Sequence, residues 1–117
     1  MNSSERVKKY IFSDIYQLLL NKITLKNRTQ FELDQVIMWL TAYTIDDLNE
    51  LKVNQTRFED FFKQAPKMNP NRFLIKGKVC GVQVELIEDE FMRDVRYLDK
   101  CVDELAKGKT LDKIRRQ

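Results

Sequence analysis

Histidine is absent from this chain of 117 residues. That removes the side chain most used for proton transfer near neutral pH, and the commonest zinc ligand. Serine–histidine and cysteine–histidine nucleophile pairs are excluded with it. Cysteine is nearly absent: Cys80 and Cys101 are too few and too far apart for a disulfide framework or a zinc site. Each is flanked by apolar residues or lies near an apolar stripe, so both are expected to be buried, inert thiols. No apolar run approaches the roughly 20 residues of a membrane span. The segment from Met1 to Lys9 is polar and lacks the apolar stretch of a secretion leader. A cytoplasmic protein with reduced thiols, no membrane partner and no cofactor or metal is the resulting expectation.

Proline occurs twice, and both copies fall in Ala65-Pro66-Lys67-Met68-Asn69-Pro70-Asn71-Arg72. This run divides a helical first half from a second half that ends in one long helix. Its asparagines are suited to a turn, with their side chains bonding backbone amides. Arg72 would then pair with an acid, for instance one between Glu85 and Asp89. The functional alternative is a rim of amides and one guanidinium at Asn69, Asn71 and Arg72 that receives a protein partner or a small anion. Loops are where such sites lie.

Apolar residues make up 43% of the chain and charged residues 33%. That composition suits one domain spanning 1–117, with residues 1–9 and 115–117 as flexible tails. A mass of 14.0 kDa gives an expected folded surface of about 6,700 Å². Capping signals mark the helix starts: Thr29 with Glu32, Thr56 with Glu59, and Thr44 with Asp47. Phe12, Ile15, Tyr16, Leu19 and Ile23 recur at helical spacing, as do Leu33, Val36, Ile37 and Leu40. A short helix carries Ile45, Leu48 and Leu51, and another carries Phe58, Phe61 and Phe62 up to Pro66. Phe91, Val95, Leu98, Val102 and Leu105 form the clearest stripe, which Gly108 stops. Thr110 then caps a short tail helix. Between Phe73 and Ile87 the pattern fits a helix slightly better than a strand, with a short β-hairpin as the alternative. The fold class is therefore mainly helical: a compact orthogonal bundle of five or six helices.

The net charge is only +3, but it is unevenly placed. Arg6, Lys8 and Lys9 make a basic start. Lys107, Lys109, Lys113, Arg115 and Arg116 make a basic end, and Glu85, Glu88, Asp89, Glu90 and Asp94 make an acidic cluster between them. Nucleic-acid binding by the basic termini is the alternative to solvated helix ends. Gly108-Lys109-Thr110 matches the end of a phosphate-binding loop, but Asp103 stands where that motif needs glycine and a helix precedes it. A small enzyme using a thiol or carboxylate site is the remaining alternative; without a catalytic constellation, the balance leans against catalysis.

Several longer motifs occur in order along the chain. They are Trp39-Leu40-Thr41-Ala42-Tyr43, Phe61-Phe62-Lys63-Gln64-Ala65-Pro66 and Met68-Asn69-Pro70-Asn71-Arg72. Val79-Cys80-Gly81-Val82-Gln83-Val84-Glu85, Arg96-Tyr97-Leu98-Asp99-Lys100 and Asp103-Glu104-Leu105-Ala106-Lys107-Gly108-Lys109 follow. From about Tyr10 to Ile114 the chain resembles a family of small uncharacterised bacterial proteins, domain of unknown function 2200. The resemblance implies a compact, mainly helical domain from a bacterial cytoplasm, and brings no activity, substrate or cofactor. It departs from the family pattern at Ala42, where glycine is typical, and at Glu90, where proline is typical.

Overall fold

In the computed structural model, which describes residues 3–117, the chain is mainly helical with one short hairpin. The helices are α1 (Ser3–Lys8), α2 (Phe12–Thr24), α3 (Gln30–Thr41), α4 (Ile45–Leu51), α5 (Phe58–Lys63), α6 (Glu90–Ala106) and α7 (Leu111–Ile114). Strands β1 (Lys78–Val79) and β2 (Val82–Gln83) pair antiparallel, with Val79 opposite Val82. Single 3₁₀ turns span Pro70–Leu74 and Val84–Leu86. No helix among the described residues is long and apolar enough to cross a membrane.

The stripe on α6 is the axis of the molecule. Val95, Leu98, Val102 and Leu105 pack against Leu33, Val36, Ile37 and Leu40 of α3 and against α2. Phe12 stacks on Phe61 with ring centroids 4.0 Å apart, and Phe58, Phe62 and Phe91 extend this aromatic layer. The folded surface, 6681 Å², matches the area expected from mass.

Caps set the element boundaries. Thr29 and Glu32 form a reciprocal capping box at α3. Asp89 Oδ1 accepts from the Phe91 amide at the start of α6. Glu90 follows as the first helical residue, a position that a proline would also fit. Gly108 leaves α6 with φ +95°, and Thr110 caps α7. Ala42 ends α3 in the left-handed region, φ +65°, where a side chain is strained and glycine is not. The expected box of Thr56 with Glu59 does not form. Phe12 N donates to Thr56 O and Phe58 N to Tyr10 O, so the chain stays extended through Arg57, which becomes the N-cap of α5.

The hairpin settles the ambiguous segment. Cys80 and Gly81 form its two-residue turn, with φ +52° and +79°, the left-handed pair such turns require. This overturns the expectation for Cys80, which is exposed because it occupies the turn itself. Cys101 is buried as expected, and burial pushes its thiol pKa up to about 12. Described residues of both expected tails make contacts with the rest of the domain. Residues 3–8 form α1, which packs on α5, while residues 1 and 2 lie outside the described residues. At the other end, Arg116 is held by Glu104.

Candidate functional site

The Asn69–Arg72 loop is a tied corner. Asn69 Oδ1 accepts from the Asn71 amide at 2.9 Å, an Asx turn that starts the 3₁₀ segment. Asn69 Nδ2 donates to Trp39 O at 3.2 Å, and the Asn69 amide donates to Leu40 O at 2.9 Å. Asn71 Nδ2 donates to Arg116 O at 3.3 Å. Arg72 Nε donates to Asp94 Oδ1 at 3.0 Å, and its Nη1 to Asn69 O at 2.9 Å. The guanidinium also lies over the Phe73 ring, 4.6 Å from the centroid. All three side chains therefore have partners inside the molecule, as the turn reading expects. The acid that pairs with Arg72 is Asp94, a member of the acidic cluster that lies on α6 just beyond the Glu85–Asp89 stretch expected to supply it. It stands on the apolar stripe three residues after Phe91, and a carboxylate in that place, at the end of the acidic cluster, is its signal in the sequence. Burial raises the Asp94 pKa by more than Arg72 draws it back. Within the acidic cluster, Glu85 accepts from the Gly77 amide and from Gln83, and Asp89 caps α6. Those two carboxylates serve the hairpin and the helix start.

The basic residues do not share one face. Lys8 lies 5.9 Å from the Phe91 ring centroid, beside the start of α6. Lys107 follows the end of α6, sixteen residues beyond Phe91, which is about 24 Å along a helix. Lys8 is paired with Glu5 and Glu59, Arg115 with Asp112, and Arg116 with Glu104. Lys9 is exposed beside Lys8 in the sequence. Lys8 also edges a second cavity of about 280 Å³, whose floor includes Phe62, Met68 and Phe91 and whose charged edge includes Glu59 and Asp94.

Lys107, Lys109 and Lys113 do come together. With Lys100 they line an open cleft of about 430 Å³ around the Gly108 bend, and Glu104 is the one carboxylate in its lining. Lys100 is a ligand-facing candidate that the sequence reading missed. Its spacing of four and seven residues from Glu104 and Lys107 places all three on one helical face, and that was the available signal. Lys100 Nζ donates to Lys78 O at 3.2 Å, tying the cleft to the hairpin. Lys107 pairs with Asp103 at 2.9 Å. Glu104 is nearly buried. Burial alone would raise its pKa, but hydrogen bonds from Arg116 and Lys109 bring it below the ordinary carboxylate value.

Arg28 holds the cleft's floor in place. Its Nη1 donates to Leu105 O at 3.0 Å and to Lys109 O at 2.9 Å, on either side of Gly108. Leu105 O also accepts from the Gly108 amide at 3.1 Å, so the guanidinium reinforces a carbonyl already used by the turn and adds a hold on the residue after Gly108. Nε and Nη2 of the same guanidinium grip Glu32 in the α3 capping box. The arrangement fixes a bend that carries three lysines, and it can present several ammonium groups to one anion.

A family model for uncharacterised proteins conserved in bacteria matches residues 6–116. A solved structure, the crystal structure of uncharacterized protein SP1917, superposes with a TM-score of 0.90 and 38% sequence identity. The match covers 97% of this chain and 93% of that one. No curated protein matches the sequence.

Proposed function

We propose, for a chain that belongs to the DUF2200 family of uncharacterised bacterial proteins, a non-catalytic role as a binding domain for a small phosphorylated ligand held in the lysine cleft. The observation that carries this reading is the convergence of Lys100, Lys107, Lys109 and Lys113 on one concavity with a single, already paired carboxylate. Ammonium groups bind phosphate as compact point charges, and the cleft volume lies within the usual range for small-molecule sites. The Asn69–Arg72 loop is a weaker candidate for the same anion, or for a protein partner, because its amides and guanidinium are already engaged.

Nucleic-acid binding is disfavoured by geometry. The N-terminal lysines stand at the far end of α6, and Arg115 and Arg116 are paired internally. What remains is a compact cluster, unlike a stripe that tracks a phosphate backbone. A bacterial cytoplasm suits this reading, and the free thiols of Cys80 and Cys101 support it.

Calorimetric titration with inorganic pyrophosphate tests the proposal. Binding at low salt is expected, weakened at least about tenfold by the double substitution Lys109→Gln with Lys113→Gln, a loss of about 1.4 kcal/mol. Absence of pyrophosphate binding at low salt would overturn it. So would a short oligonucleotide that binds far more tightly with a steep salt dependence, since that is the mark of many phosphate contacts.

A further inference from the structure

A continuous line of contacts joins the asparagine loop to the lysine cleft. Asn71 Nδ2 donates to the backbone carbonyl of Arg116. The Arg116 guanidinium then takes both oxygens of Glu104, with Nη1 to Oε1 at 2.6 Å and Nη2 to Oε2 at 2.7 Å. Glu104 Oε2 also accepts from Lys109 Nζ at 3.1 Å. Glu104 is only 7% exposed at its side chain, while Lys109 is 40% exposed.

Charge decides what this line does. A carboxylate facing the cleft opposes any anion that enters, and with Lys109 as its sole partner it would hold that ammonium back. A planar guanidinium satisfies a carboxylate in two-point geometry better than an ammonium does. Glu104 is therefore answered without Lys109, whose exposed ammonium can turn to a ligand. Lys100, Lys107 and Lys113 face the same space.

We infer that Arg116 is a positioning residue of the anion site: it neutralises Glu104, frees Lys109 for the ligand, and is itself seated by Asn71. This rests on the anion-binding reading above. It gives the Asn69–Arg72 loop an indirect part in binding, through the C-terminal residues and without ligand contact.

The test compares the wild type with Glu104→Gln, Arg116→Gln and the double variant, each titrated with inorganic pyrophosphate at low salt. A unit charge about 6 Å away in a water-rich cleft changes affinity by about threefold, and more where solvent is partly excluded. Arg116→Gln should weaken binding by about three- to tenfold, and Glu104→Gln should tighten it by a similar factor. The double variant should return to within about twofold of wild type, because the two charges cancel. A merely structural Arg116 would lower affinity in the single variant with no gain from Glu104→Gln, and that pattern overturns the inference. If circular dichroism shows Arg116→Gln unfolded, Glu104→Gln decides alone, and unchanged or weaker binding overturns the inference. A wild type that binds no pyrophosphate removes the anion reading and this inference together. A wild type that binds, with affinity indifferent to Glu104→Gln, removes only the inference.

Discussion

Arg72 Nε meets Asp94 Oδ1 at 3.0 Å, with 11% and 8% of the two side chains exposed. This pair ties the turn after Pro70 to the first third of α6. Arg72→Met keeps much of the stem but leaves Asp94 without its partner. Removing one member of a buried pair is costly, so a loss of about 2–4 kcal/mol at pH 7 is expected. The sign of the pH dependence follows from the raised pKa of Asp94. Without Arg72 that pKa rises further, and protonation on acidification discharges the orphaned carboxylate. The penalty should therefore shrink between pH 7 and pH 5. Urea unfolding at both values measures it, and a penalty below about 1 kcal/mol that ignores pH would contradict the account. Folded Arg72→Met should still bind pyrophosphate, because Arg72 contacts Asp94 and Asn69 and not Arg116, Glu104 or the cleft lysines.

Glu32 supplies a second pH signature. The Arg28 hydrogen bond, helped by the Thr29 amide and hydroxyl, lowers its pKa from 4.5 to about 2. A depressed carboxyl contributes stability that is complete above its unfolded value and lost as pH falls toward its folded value. Glu32→Gln should thus cost about 1–2 kcal/mol at pH 7. The two proteins should converge in stability as pH falls from 4.5 towards 2. Parallel thermal melts across that window would show the convergence; a constant gap would mean that the ionised form is not what matters.

Ala42 offers a substitution in the stabilising direction. Its φ of +65° costs a side-chain-bearing residue about 1–2 kcal/mol. Glycine escapes that strain but makes the unfolded chain more flexible, which returns about 0.4–1 kcal/mol. Ala42→Gly should gain up to about 1 kcal/mol. A denaturation midpoint that falls would show that the Ala42 methyl group contributes more than the strain costs.

Local chemistry was legible in the sequence; long-range pairing was not. Thr29, Thr44, Gly108 and Thr110 announce their helix ends because caps act within four residues. The box at Thr56 was a sound local signal that lost to the backbone pairing of Tyr10 and Phe12 with residues 56–58. Helix α1 looks like a tail in the sequence because the one apolar residue it carries, Val7, gives no periodicity. The asparagine turn was visible, but its reach to Trp39 and Arg116 spans 30 and 45 residues. The lysines of the C-terminal end are plain in the sequence. Lys100 and the internal pairing of Arg116 needed the bend at Gly108 before they could be joined to them.

The two thiols differ in a way that makes the protein convenient to instrument. Cys101 is sealed in the core, whereas Cys80 stands at the hairpin's tip. A maleimide dye would therefore attach at one place without mutagenesis. That place is two residues from Lys78, whose carbonyl is held by Lys100 of the cleft. A fluorophore there would sit within earshot of the lysines, so the native chain already carries the mounting point for an optical reporter of whatever settles among them.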